Sequence, residues 1–125
     1  MTRKPHFSIA TIALDCPDAH QLAGFYGGLL GWDVTASEPD WVLLRCPDGG
    51  TGLSFQSEPG YRPPVWPERP AEQQKMLHLD IRVDDLDEAE RYAVAHGAVR
   101  AEHQPQDDVR VLYDPAGHPF CLFLD

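Results

Sequence analysis

The side chains best suited to chemistry in this sequence are a histidine, an aspartate and a serine that lie far apart along the chain. His78 and Asp80 stand two positions apart in an alternating segment, so both project from one face of the strand predicted over Met76–Asp84. Ser54, His78 and Asp80 are the residue types of a hydrolytic triad, but no feature of the sequence orients the histidine toward its partners. We therefore interpret that combination as coincidental.

The cysteines do not indicate a disulfide framework or a closed zinc site, because there are 3 of them and none has CxxC spacing. Cys121 lies in the apolar run Phe120–Leu124, where a small buried core residue is a commoner role than a reactive nucleophile. We interpret Cys16, Cys46 and Cys121 as buried thiols.

The charge of the chain excludes several classes of partner. Its 20 acidic residues outnumber its 10 basic residues and give a net charge of −10, which repels nucleic acid and attracts small cations. No apolar run has the length of a membrane span or the form of a signal peptide. We expect one domain over residues 1–125, located in the cytoplasm, with no nucleic-acid or membrane partner.

The elements that position these residues occur twice in the chain. Thr11–Asp18 and His78–Asp85 both have the pattern of a strand that ends in an acidic helix start. Helices are predicted over Asp18–Leu30 and Asp85–His96, because a capping aspartate precedes each one and a glycine follows it. The strands predicted after the helices are Asp33–Ala36, Trp41–Arg45 and Gly52–Gln56 in the first half and Val99–Glu102, Val109–Tyr113 and Phe120–Leu124 in the second.

A proline-rich segment, Ser57–Met76, connects the two halves and is predicted to be neither a helix nor a central strand. Its Tyr61 and Trp66 either pack on the sheets as structural anchors or line a binding cavity as parts of a lid. We predict that Trp66 closes over the polar face that carries His78, because tryptophan offers a broad apolar surface.

Four segments together resemble the vicinal-oxygen-chelate superfamily, and they are Ala10–Asp18, Phe25–Gly31, His78–Asp87 and Asp114–Leu122. This superfamily includes glyoxalase I, bleomycin-resistance proteins and extradiol dioxygenases, and the sequence is most similar to its small glyoxalase-like domain proteins. The resemblance implies an α+β fold in which two βαβββ modules, 5–56 and 76–125 joined by the loop 57–75, form a curved sheet cup with helices outside. The alternative architecture, a ferredoxin-like sandwich, leaves Trp41–Arg45 or Gly52–Gln56 unexplained.

The resemblance also indicates where a metal would be bound in metal-using members. Those four ligand positions match Thr11, Ser54, His78 and Cys121, of which only His78 is an ordinary ligand, because hydroxyl groups bind divalent cations poorly. We therefore expect no metal and no other cofactor. The spacing from Thr11 to His78 equals that from Ser54 to Cys121, so we expect these four side chains to converge at the base of the cup.

The expected function is binding of a neutral or cationic small organic molecule in the cup. The residues expected to contact it are Thr11, Ser54, Trp66, His78, Asp80 and Cys121. The alternative is a lyase, isomerase or dioxygenase of the same superfamily that uses His78 as an acid or base or with an atypical metal. A structural partner module is a third possibility, favoured if side chains fill the cup. We also expect a homodimer, with each cup formed within one chain or between two.

Overall fold

The computed structural model of the protein describes residues 4–124. Its first module comprises β1 (Thr11–Cys16), α1 (Ala19–Leu30), β2 (Asp33–Glu38), β3 (Trp41–Arg45) and β4 (Gly52–Ser57). The second comprises β5 (Leu79–Arg82), α2 (Leu86–Ala95), β6 (Val99–Arg100), β7 (Val109–Tyr113) and β8 (Pro119–Phe123). The α+β fold of two βαβββ modules is therefore confirmed.

Each module folds its four strands into one sheet, in which the first strand lies beside the last. The strand orders are β1-β4-β3-β2 and β5-β8-β7-β6, and the first pair of each sheet is parallel whereas the other pairs are antiparallel. Thr11 is opposite Gly52 in one sheet, and Leu79 is opposite Phe120 in the other. The arrangement is consistent with a curved sheet cup.

Aspartate caps begin both helices, as predicted. The Asp18 carboxylate accepts hydrogen bonds from the backbone N–H groups of His20 and Gln21, and that of Asp85 accepts one from Glu88. Gly31, with φ 71°, ends α1 in the left-handed conformation that glycine adopts without strain.

The hydrophobic core joins the two modules through the aromatic face of α1. Tyr26 stacks on Phe55 of its own sheet with ring centroids 5.8 Å apart, and its edge meets Phe120 of the second sheet at 6.1 Å. Phe25 also meets Phe120, at 5.9 Å. Because all four rings are buried, α1 serves as a common core element for both modules.

Two strands of the second module are shorter than predicted. The strand expected over Met76–Asp84 is regular only over Leu79–Arg82, the stretch that pairs with β8, and Leu77 is 50% exposed. The strand expected over Val99–Glu102 ends at Arg100. Beyond it, the Gln104 side chain donates to the carbonyl of Val111 and accepts from its N–H, which takes the place of a paired strand.

The connection between the modules, called the linker below (residues 58–78), folds back on itself and contacts the second module. The backbone N–H of Val65 donates to the carbonyl of Gln73 at 2.8 Å, and Lys75 forms an ion pair with Glu68. The Trp66–Pro67 peptide bond is cis. Within residues 4–124, neither helix has the length and apolar character required to cross a membrane.

Candidate functional site

The open face of the second sheet brings together three side chains that the sequence singled out. Asp80 in β5 lies directly opposite Cys121 in β8, and His78, the residue just before β5, precedes Asp80 by two positions. His78 Nε2 is 3.1 Å from Asp80 Oδ1. One donor atom from each of the three side chains lies within 4.8 Å of the others. We call His78, Asp80 and Cys121 the β5–β8 cluster.

The thiol of the β5–β8 cluster is held in its protonated form. Burial raises the pKa of Cys121, and the neighbouring Asp80 carboxylate raises it further by charge repulsion and by accepting its hydrogen bond. Lys75 of the linker opposes these effects but does not outweigh them. Cys121 is therefore a hydrogen-bond donor rather than a thiolate nucleophile. It is half-buried, as is Cys46, so of the three cysteines expected to be buried only Cys16 is.

A cavity of about 380 Å³ opens over the β5–β8 cluster. Its other lining residues are Gln106, Asp108, Val109, Phe123 and Leu124. The side chains of His78 and Asp80 remain 38% and 58% exposed, so both can reach a molecule in this cavity. The lining combines acceptors and donors with the aromatic surface of Phe123, a composition typical of sites for small organic molecules.

Thr11 and Ser54 form a separate pair in the first sheet. Their hydroxyl oxygens are 3.2 Å apart, and Ser54 is only 3% exposed. In the part of the chain that the structure describes, neither residue lines the cavity over the β5–β8 cluster. Convergence of the two groups on one ligand stays a prediction.

Trp66 lies over the other end of the second sheet's open face. Its carbonyl accepts a 2.8 Å hydrogen bond from the Tyr113 hydroxyl on β7, and its indole ring is 5.3 Å from the His103 ring. The ring is half-buried. The linker therefore contacts the second sheet, but Trp66 is placed beside His103 and does not belong to the lining around His78.

Sequence analysis missed a buried polar network at the junction between the modules. Asp114 has a fully buried side chain whose Oδ2 accepts hydrogen bonds from the Tyr26 hydroxyl at 2.7 Å and lies 2.8 Å from His118 Nδ1. Tyr61 of the linker donates to the carbonyl of Ala116 at 3.0 Å. The signal in the sequence that points to this contact is the spacing of four residues between Asp114 and His118 across a glycine turn.

The same junction borders a second cavity, of about 480 Å³, between β1 and the linker. Asp15, Tyr61 and His118 line one side, and Lys75 and Leu77 line another. Burial raises the pKa of Tyr61, with a further contribution from Asp114, so its hydroxyl stays protonated and donates to the turn. The linker contributes most of the residues that line this cavity.

Comparisons with known proteins agree with this architecture. Solved structures with the same fold include a glyoxalase/bleomycin resistance protein/dioxygenase family enzyme from Burkholderia phytofirmans PsJN, with a TM-score of 0.69 and 16% identity over 94% of this chain and 98% of that one. A glyoxalase family protein from Enterococcus faecalis has a TM-score of 0.68 and 20% identity over 93% and 96%.

A third structure with the same fold is TnmS3, an antibiotic binding protein from Streptomyces sp. CB03234. Its TM-score is 0.63, and it shares 18% identity over 98% of both chains. No curated protein matches the sequence at a significant level. At these identities the structural likeness shows the fold alone.

A match between the sequence and a family model identifies the family. Residues 11–123 match the model of the family described as Glyoxalase-like domain, a match that begins with β1 and ends with β8. It covers both modules and the linker between them. The chain therefore belongs to the glyoxalase-like domain family, within the vicinal-oxygen-chelate superfamily.

Proposed function

We propose that this protein binds a small neutral or cationic organic molecule in the cavity over the β5–β8 cluster, without a divalent metal. The observation that carries the proposal is the His78–Asp80 pair, whose atoms 3.1 Å apart face a cavity of about 380 Å³ while remaining partly exposed. Such a pair can accept and donate hydrogen bonds at once, and Phe123 offers an apolar surface beside it.

The charge of the site supports the stated ligand class. Asp80 and Asp108 both line the cavity, and the chain as a whole carries a net charge of −10. Lys75, which acts electrostatically on Cys121, is paired with Glu68 of the linker. An organic anion would meet the carboxylates of Asp80 and Asp108 in this cavity, whereas a cation would be attracted to them.

The donor set supports binding without a metal at the four positions that the superfamily resemblance indicates. The Thr11 and Ser54 hydroxyls bond to each other in one sheet, whereas His78 and Cys121 lie in the other. Two neutral hydroxyls, one protonated thiol and one imidazole do not fit a divalent cation. We extend the proposal to Thr11 and Ser54 as contacts for a larger ligand and to Trp66 as part of its cover.

We also propose that the protein is a cytoplasmic homodimer. The three cysteines are free, which suits a reducing compartment. The outer edges of β1 and β5 have no partner strand in the sheets formed by the described residues, and pairing with a second copy would cover such edges. Light scattering tests the assembly, and a particle of 14.0 kDa at micromolar concentration would contradict it.

Binding is tested with three sets of compounds of equal size, aromatic amines, aromatic amides and aromatic carboxylates, by thermal shift and then calorimetry. We expect stabilisation by amines and amides but not by carboxylates. Asp80→Asn weakens amine binding by about three- to tenfold, because the amide oxygen still accepts a hydrogen bond but the negative charge is gone, and His20→Gln in the first module is the control. EDTA leaves the affinity unchanged. Preference for carboxylates, or equal binding by Asp80→Asn, would refute the proposal.

A second candidate function rests on the donor types of the β5–β8 cluster. One imidazole nitrogen, one carboxylate oxygen and one thiol within 4.8 Å of one another can supply three of the four ligands of a tetrahedral Zn²⁺ site, which favours a lyase or isomerase with an atypical metal. A dioxygenase would require a redox-active metal in the same place. Titration with Co²⁺ distinguishes the two candidates. Thiolate-to-cobalt absorption that disappears in Cys121→Ser and persists in Cys46→Ser would favour the enzyme.

A further inference from the structure

His118 lies where the first module, the second module and the linker meet. Its Nδ1 is 2.8 Å from Asp114 Oδ2, and its Nε2 is 2.8 Å from the backbone carbonyl oxygen of Asp15 at the end of β1. The Tyr61 hydroxyl of the linker is 3.2 Å from the same Nε2. Both ring nitrogens therefore face oxygen atoms at hydrogen-bond distance, and the side chain is only 18% exposed.

The hydrogens on this ring can be assigned by counting donors and acceptors. A carbonyl oxygen can only accept, so Nε2 must carry the hydrogen that bonds to Asp15. An ionised carboxylate also only accepts, so the contact with Asp114 requires a hydrogen on Nδ1 as well. A neutral imidazole has one N–H, and only the imidazolium has two.

The surroundings of Asp114 favour its ionised form. Oδ1 accepts from the backbone N–H groups of Ala116 and His118, at 2.9 and 3.0 Å, and Oδ2 accepts from the Tyr26 hydroxyl. Several donors aimed at one carboxylate stabilise its charge. A buried anion of this kind is costly unless a cation is paired with it, and the His118 ring is in contact with it.

We propose that His118 is a doubly protonated imidazolium at neutral pH, which clamps the two modules and the linker together and releases them when it loses a proton. Without that proton, one ring nitrogen would face an oxygen 2.8 Å away with no hydrogen between them. Such a contact is repulsive, so the Asp15 carbonyl or the Asp114 carboxylate must move away. The proposal rests on the module junction alone and is independent of the proposed ligand site.

Three other ionisable groups around His118 carry no charge at neutral pH. Burial and Asp114 raise the pKa of both Tyr26 and Tyr61, and burial raises that of Cys16 at the end of β1 to about 11, so these three groups stay neutral. The charged groups lining the cavity beside His118 are Asp15, Glu58, Arg62 and Lys75, two of each sign. Asp114 is the carboxylate in direct contact with the ring.

Two-bond ¹H–¹⁵N spectra of the labelled full chain measure the protonation of each histidine ring. At pH 7.5 we expect both His118 nitrogens to show the chemical shifts of protonated nitrogens. His20 and His96 are internal controls, because each has one ring nitrogen at hydrogen-bond distance from a carbonyl, a contact that requires a single N–H. A His118 ring with a single protonated nitrogen at pH 7.5 would overturn the proposal, whichever nitrogen carries the proton.

Urea unfolding as a function of pH tests the clamp itself. The stability advantage of the wild-type chain over His118→Gln should be larger at pH 6.5 than at pH 9.5, because the clamp requires the proton that is lost at high pH. His20→Gln, a control in the first module, should show a difference that does not change with pH. An equal advantage at both pH values would contradict the clamp. If His118→Gln does not fold, the spectra of the wild-type chain still decide whether the ring is doubly protonated. Tyr61→Phe, which keeps Asp114 and the Asp15 carbonyl beside the ring, should show the same two protonated nitrogens, and a single protonated nitrogen there would contradict the assignment.

Discussion

The Tyr26 hydroxyl donates a 2.7 Å hydrogen bond to Asp114, a residue that follows it by 88 positions and lies in the other module. Tyr26→Phe removes this donor, so the buried Asp114 carboxylate lacks one hydrogen bond. We expect this loss to lower the free energy of unfolding by about 1–3 kcal/mol. Tyr92→Phe is the matched control, since that hydroxyl is exposed and makes a 3.3 Å bond to Gly28. Urea denaturation measures both, and equal losses would contradict the importance of burial.

Alkaline pH should destabilise the fold through the same tyrosine. Burial raises the pKa of Tyr26 well above its usual value, and Asp114 raises it further. Because the folded pKa exceeds the unfolded one, the stabilising contribution is complete below about pH 10 and declines as the pH rises above it. Tyrosinate absorbance should therefore show a late step that coincides with unfolding. Because burial also raises the pKa of Tyr61, the step should persist in Tyr26→Phe with a smaller amplitude, and an unchanged amplitude would assign it to other residues.

The three cysteines should react with iodoacetamide in a fixed order. Cys46 is half-exposed and is expected to react first at pH 8. Cys121 should follow more slowly, because burial and Asp80 raise the pKa of its thiol. Cys16 is buried, with a pKa raised to about 11, and should react only on unfolding. Peptide mass spectrometry over time gives the order, and rapid labelling of native Cys121 would contradict the protonated thiol described for the β5–β8 cluster.

Two glycine-to-alanine substitutions should have opposite effects. A Cβ atom at Gly52 would lie 2.6 Å from the carbonyl oxygen of Leu44 on the neighbouring strand, so Gly52→Ala must displace backbone and should destabilise by about 1–3 kcal/mol. A Cβ atom at Gly24, inside α1, would meet nothing within 4 Å. Gly24→Ala should stabilise by about 1 kcal/mol, because alanine favours helix. Thermal unfolding of the two variants shows whether each one lowers or raises the stability, and a lower stability of both would be inconsistent with this packing.

The elements of the fold could be predicted largely because their signals are local. Asp18 and Asp85 cap the two helices, and β3 and β7 have the predicted limits. Strand length was less predictable, because a strand continues only where it has a partner. The alternation of apolar and polar residues extends from Leu77 onward, but the strand begins to pair with β8 only at Leu79.

The candidate site was predictable only where it depends on strand periodicity. The two-residue spacing of His78 and Asp80 placed both on one face, and parallel pairing of β5 with β8 added Cys121. The partners of His118 were not predictable in this way, because the Asp15 carbonyl and Tyr61 belong to distant segments. Contacts of this kind depend on how the modules pack, which no local pattern specifies.

The sharing of α1 between the two modules affects the order in which the protein can fold during synthesis. All strands of the first sheet are available once β4 has emerged from the ribosome, so that sheet can pair early. Tyr26 still lacks Asp114 and Phe120 at that point, because both belong to the second module. Until β8 is synthesised, the nascent first module therefore exposes an aromatic surface that a chaperone, or another nascent chain, can bind.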